Sequence, residues 1–158
     1  MRVTTRTRYA IRALYHLAFH RAGEAAQAKE IADAQKIPLR FLEQILQDLR
    51  RAGLVEARRG PRGGYVLARP PAEISLADVL RAVRGPLEEL LGVGSVGEPG
   101  GRRAREAAPA DEVPALVWGE VGARLIDVLE HATLAEFVAR AEAAGVRRAA
   151  APSTMYFI

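Results

Sequence analysis

Pro38 to Pro70 reads "PLRFLEQILQDLRRAGLVEARRGPRGGYVLARP", and its reading decides the fold. In its first half Leu39, Leu42, Ile45, Leu46 and Leu49 recur at three- and four-residue spacing, which predicts a helix with that face turned to a core. Pro38 suits a first-turn position, and Gly53 suits a C-terminal cap. In the second half, "LVEARR" and "YVLAR" read as two strands joined by "GPRGG" and ended by Pro70 and Pro71. A helix running straight into a hairpin is the back half of a winged helix-turn-helix, and the hairpin is the wing.

The flanking sequence supplies the rest. "TTRTRYAIRALYHLAFHRAG" predicts a first helix, capped by Thr4 or Thr5, closed at Gly23 and striped by Ala10, Ala13, Leu14, Leu17 and Ala18. "QAKEIADAQKI" predicts a shorter second helix. Beyond the wing, Ser75 caps "SLADVLRAV", with Asp78 three residues on as a weak relative of a capping box. Residues 92 to 111 carry five glycines and two prolines and are expected to form a mobile loop. "EVPALVWGEVGARLIDVLEHA" predicts a long helix with Val117, Val121, Leu125, Val128 and Leu129 on one face. "TLAEFVARAEAAG" adds a shorter one, with Thr133 as a cap, before an apolar tail, "STMYFI", expected to dock on the same or a partner subunit. The expected class is mainly α with a small β wing. The expected organisation is a DNA-binding unit over 1–85, a connector over 86–111, and a helical unit with its tail over 112–158.

The chain has 158 residues and a net charge of +4, and the charge is uneven. Residues 1 to 69 hold 14 Arg or Lys against 6 Asp or Glu, while the remainder is net acidic. A basic half on a near-neutral whole points to a local polyanion site. Arginine far outnumbers lysine, which reflects genome composition in part, so placement matters more than count. There is no cysteine, which removes disulfides, thiolate metal sites and cysteine nucleophiles together. No run reaches membrane-span length and no signal peptide is visible, so a cytoplasmic protein without a membrane partner is expected. No nucleophile elbow, triad or phosphate-cradling loop appears, and "GPRGG" lacks the Lys-Ser/Thr of a Walker loop, so no enzyme is expected.

The polar side of the third helix carries Arg40, Gln44, Gln47 and Arg51, with Glu43 on its flank. Arg bonds the guanine O6/N7 pair, Gln the adenine N6/N7 pair, and Glu accepts from cytosine N4. A helix in the major groove offers mainly its N-terminal half to bases, which selects Arg40, Glu43 and Gln44 as readers. A carboxylate costs affinity near phosphates, so Glu43 is a specificity residue. Arg50 and Arg51 are placed for phosphates or as surface charge. Gly60, Gly63 and Gly64 permit close approach of the wing, and Arg59 and Arg62 at its tip are placed for a minor groove. Arg2, Arg6 and Arg8 near the first helix start are placed for the phosphate backbone. Each helix face taken alone is equally well a solvated surface; order and charge asymmetry favour DNA. Alternatives are a winged-helix adaptor whose basic surface binds an acidic partner protein, and a metal or small-molecule carrier.

His16 and His20 share metal-compatible spacing but lack a third ligand, and lying off the apolar stripe they are expected to be surface histidines. His131 is placed to meet its helix dipole. Trp118 is expected to pack in a core or interface, with an effector pocket as the alternative.

The blocks "RYAIRAL", "PLRFLEQILQDLRRAGLVEARRGPRGGYVLARPPAEISLADVLRAV" and "VWGEVGARLIDVLEHATLAEF" resemble the Rrf2 family of bacterial transcription regulators, of the IscR/NsrR-like type, from Met1 to about Phe137. The resemblance implies a homodimer on double-stranded DNA with a partly palindromic operator. It implies that the helix of about Glu112 to His131 is the dimerisation helix, with Val117, Trp118, Val121, Leu125, Val128 and Leu129 at the interface. It implies base reading by Arg40, Glu43, Gln44 and Arg59, and, as in cluster-free members, a response to an unknown small-molecule or protein effector; the expected role is that of a repressor. Arg40 stands where many members have a small polar residue, so the operator is expected to differ. Many members hold an iron–sulfur cluster with three cysteines in the loop before the dimerisation helix. This chain has none there, so no cofactor and no metal is expected.

Overall fold

The computed structural model describes residues 4–91, 93 and 109–149. Helix α1 spans Thr5–Tyr15, and its N-cap Thr4 accepts a hydrogen bond from the Thr7 amide. It continues without a break into a π-helical turn, His16–Arg21, which ends at Ala22 in the left-handed region, one residue ahead of Gly23. Helices α2 (Ala28–Gln35) and α3 (Leu39–Arg51) follow. Pro38 is the N-cap of α3 and not its first turn, because its φ of −57° and ψ of 127° are not helical. The wing pairs β1 (Val55–Arg58) with β2 (Gly64–Leu67) antiparallel, with Val55 opposite Leu67 and Arg58 opposite Gly64. Helix α4 (Leu76–Arg84) starts with a complete capping box: Ser75 accepts from the Asp78 amide while Asp78 accepts from the Ser75 amide. The aspartate is short, yet it reaches. A short α5 (Leu87–Leu91), the long α6 (Pro109–His131) and α7 (Leu134–Ala143) complete the chain. Both ends of the expected connector therefore carry helix: α5 lies within it, and α6 begins at Pro109, where a proline suits the first turn.

Leu14, Leu17, Ile31, Leu42, Ile45, Leu46, Leu49 and Leu54 are essentially inaccessible and form one core under α1 to α3 and the wing. Leu39 does not join them. It is 39% exposed, because the first turn of α3 projects past the helices that cover the rest of its stripe. Leu134, at the start of α7, is buried in this same core. The Leu76 amide donates to the Ala132 carbonyl at 2.8 Å and the Leu134 amide to the Ile74 carbonyl at 2.9 Å. The turn between α6 and α7 is thus stitched to the base of α4. Among the described residues no helix is long and apolar enough to cross a membrane.

His16 corrects the expectation of a surface histidine. It is 1% exposed, since the widened π-turn rotates the residues after Tyr15 and brings its ring inward. Its Nε2 lies 3.2 Å from the Glu30 carboxylate and its Nδ1 lies 3.4 Å from the Gln35 amide nitrogen. Arg21, also buried, pairs with the same carboxylate. His20 is half-buried, and its Nδ1 accepts from the Ala149 amide at 2.9 Å.

Candidate nucleic-acid interface

Three contacts shape the surface formed by α3 and the wing. First, α3 lays its leucine face on α1 and α2, which leaves Arg40, Glu43, Gln44, Gln47, Arg50 and Arg51 exposed. Second, the wing is locked to the start of α2. Tyr65 and Ala26 exchange both backbone hydrogen bonds, Ala26 N–H to Tyr65 O at 3.0 Å and Tyr65 N–H to Ala26 O at 2.8 Å. This makes a third, one-residue rung on the sheet. Gly64 allows it: a Cβ there would sit 2.4 Å from the Ala26 carbonyl oxygen. Third, Asp48 on α3 pairs with Arg6 on α1 and lies 3.5 Å from Arg51.

The wing tip is a tight turn in which the Gly63 amide donates to the Gly60 carbonyl at 2.8 Å. A side chain at Gly63 would strike the Arg58 carbonyl oxygen at 2.4 Å, so this glycine makes the turn itself. Arg59 and Arg62 in this turn, and Arg58 at the end of β1, are exposed. Arg69 at the wing base is drawn away, to Asp78 at 3.4 Å.

The expected site residues thus divide. Arg40, Glu43, Gln44 and Arg50 on α3 and Arg59 and Arg62 on the wing are exposed. Arg8 is exposed on α1. Arg6 is half-buried and paired with Asp48, so its charge joins α1 to α3. Arg2 lies outside the described residues. Two apolar residues were missed as features of this surface. Phe41 is 44% exposed and Leu39 39%, both in the first turn of α3. Phe41 meets Tyr9 edge to face, with centroids 6.3 Å apart. The clue available in sequence was an aromatic one position off the leucine stripe.

A second surface lies on α6. Val117, Trp118, Val121, Leu125 and Val128 are all 40% exposed or more, an unpartnered apolar strip, while Leu129 is half-buried against α4 and α5. Trp118 donates its indole N–H to the Leu91 carbonyl at 2.9 Å. Gly122 lets Val93 close on the helix, for a Cβ there would fall 2.0 Å from Val93 Cγ2. Arg81 of α4 bonds Glu130 of α6 at 2.7 Å. A cavity of about 540 Å³ lies where α1, α4, α5 and α6 meet, lined by Thr7, Ile11, Leu80, Leu90, Trp118 and Leu125 among others. Trp118 lines this cavity and is 56% exposed.

Comparison with known proteins agrees with this architecture. The Rrf2 family profile, described as an iron-dependent transcriptional regulator, matches residues 3–140. A helix-turn-helix-type transcriptional regulator of Mycobacterium tuberculosis H37Rv is 40% identical over 138 residues, covering 86% of this chain and 80% of its own. The regulator IscR of Sodalis glossinidius is 33% identical over 142 residues, covering 90% and 81%. Among solved structures, CymR, the global cysteine regulator of B. subtilis, superposes with a TM-score of 0.67 at 29% identity, covering 89% of this chain and 98% of its own. T. potens IscR gives 0.67 at 29% identity, covering 94% of each. These relatives are regulators of transcription and not enzymes. The iron in the family description finds no cysteine in this chain, and no group of three or more His, Cys, Asp or Glu suited to a metal occurs among the described residues. A cysteine-held cluster does not fit this donor set. With a family profile over residues 3–140 and relatives of the same architecture, the chain belongs to the Rrf2 family of winged helix-turn-helix, DNA-binding transcription regulators.

Proposed function

We propose that the protein acts in the cytoplasm as a homodimeric repressor that occupies a partly palindromic operator in double-stranded DNA. The observation that carries the reading is the joint exposure of Arg40, Glu43 and Gln44 on α3 with Arg59 and Arg62 on a wing hydrogen-bonded to Ala26, just before α2. The start of α3 would enter the major groove, with Arg40 suited to guanine, Gln44 to adenine and Glu43 to cytosine. Arg59 and Arg62 would reach the adjacent minor groove, with Gly63 bringing the backbone close. Arg2, Arg6, Arg8, Arg50 and Arg51 would neutralise phosphates, Arg6 and Arg51 at the expense of their contacts with Asp48.

The exposed strip of Val117, Trp118, Val121, Leu125 and Val128 supports dimerisation through α6, with Leu129 beneath it. In this reading 1–85 is the reading unit, 86–111 the connector and 112–158 the dimerisation unit. The cavity beside Trp118 touches both units and is where a small effector would act on them together.

The test is selection of bound duplexes from a random pool near physiological salt, followed by variants. Glu43→Ala is expected to relax preference at one base pair, worth about 1–3 kcal/mol. Arg59→Ala is expected to weaken binding to the selected site. Equal losses on every sequence for both would sink the assignment. Weak, salt-sensitive binding without a motif would favour an adaptor meeting an acidic protein partner.

A further inference from the structure

The large apolar side chains that the described residues leave exposed fall, apart from Val146, in two places. One is the α6 strip. The other is the first turn of α3, where Leu39 and Phe41 flank Arg40. The proposed dimer gives the α6 strip a role as a subunit interface; the α3 pair has none in a purely polar account of base reading. Exposing an aromatic ring to water is unfavourable, and the first turn of a reading helix is where base edges are met.

We propose that Phe41 is a specificity-determining residue that reads the 5-methyl group of a thymine in each operator half-site. Three observations converge on it. Phe41 adjoins Arg40, so it shares the deepest-entering turn with a base reader. It is 44% exposed, which leaves ring surface for a ligand to cover. Its other side rests on Tyr9 at an interplanar angle of 84°, and Tyr9 packs on the core, so the ring is held in place before DNA arrives. The major-groove edge of thymine is the one base edge that presents a methyl group, and apolar side chains are its complement. Arg40, Glu43 and Gln44 address guanine, cytosine and adenine; Phe41 supplies the missing fourth chemistry on the same turn and a half of helix.

The inference rests on the DNA-reading proposal, and the experiment separates the two. Duplexes are first selected from a random pool with the full-length protein. Each thymine of the selected site is then replaced in turn by deoxyuridine, which keeps the hydrogen-bonding edge and removes only the methyl. Affinity is measured for the unmodified protein, Phe41→Ala and Phe41→Leu. One position per half-site is expected to lose about fourfold on loss of its methyl, the effect of one buried carbon. Phe41→Ala is expected to lose affinity on the thymine duplex and to be indifferent to deoxyuridine there, while Phe41→Leu stays sensitive. An unchanged far-ultraviolet spectrum for both variants confirms that folding is intact, as expected for an exposed ring. A selected motif with no methyl-sensitive position, or Phe41→Ala with full methyl sensitivity, overturns this inference and leaves DNA reading standing. Absence of any motif overturns both.

Discussion

At the scale of single residues, the buried trio of His16, Glu30 and Arg21 carries the clearest consequence for conditions. The hydrogen bonds assign the neutral tautomer: Nε2–H donates to Glu30 and Nδ1 accepts from Gln35. Burial pushes the His16 pKa below its usual 6.5, and nearby Arg21 adds to this, while Glu30 opposes it. His20 is lowered likewise, by burial first and then by His16, Arg21 and Arg148. A base whose folded pKa is lowered binds its proton more readily when unfolded, so the unfolded state gains as pH falls. The contribution is complete above the unfolded value of 6.5 and is lost as pH drops through the lowered folded value. The melting temperature is expected to fall between about pH 7.5 and 5.5, and less steeply in His16→Gln. Equal slopes in thermal melts of the two proteins would refute the role given to His16. His131 acts in the opposite sense, because the Asp127 carbonyl and carboxylate raise its pKa. None of this was legible in the sequence, where His16 lies off the apolar stripe. The stripe assumes 3.6 residues per turn, and the π-turn breaks that assumption at His16 itself.

At the scale of elements, the helices and the hairpin were legible because their signals are local. The leucine spacing of α3, the Ser75–Asp78 pair before α4, and the glycine-rich turn between β1 and β2 all act within a few residues. What was not legible is how elements lean on one another. The rung between Ala26 and Tyr65 joins residues 39 apart, and no periodicity announces it. Its steric requirement falls on Gly64, which has φ of 153° as well as the close Ala26 carbonyl. Gly64→Ala is expected to destabilise the fold by about 1–3 kcal/mol and to free the wing. Chemical denaturation reads the first effect. The second appears as loss of DNA affinity under conditions where the variant is folded. A variant as stable and as tightly binding as the parent would show that the rung is dispensable. The positions of Leu39 and Phe41 were hidden for a related reason: exposure of a first turn depends on what neighbouring helices fail to cover.

At the scale of the whole molecule, the proposed function joins two surfaces. The proposed reading surface lies on α3 and the wing, and the apolar strip lies on α6. Val121→Asp places a charge in the middle of that strip without touching the core, since Val121 is 40% exposed. The variant is expected to fold, to sediment as a monomer, and to lose about a hundredfold or more in operator affinity, because two linked half-site contacts become one. A folded Val121→Asp dimer would move the interface elsewhere. The sequence showed the strip through its spacing, and showed at once that the chain has no cysteine. It did not show that α7 returns to the reading head, because Leu134 looks like any helix-face leucine until its burial is known.

That return has a mechanical meaning. Helix α6 (Pro109–His131) is fastened at its middle by Trp118 on Leu91 and by Val93 on Gly122, and at its C-terminal end by the seam of Ala132, Leu134, Ile74 and Leu76. Two fastenings along its C-terminal half favour a strut over an arm on a pivot. In the proposed dimer the separation and phase of the two reading helices would be set by that strut. Inserting one base pair between half-sites turns one of them by about a tenth of a helical turn. A hinged dimer would follow that change; a clamped one would have to twist the DNA back, so such an operator should bind far more weakly than its parent.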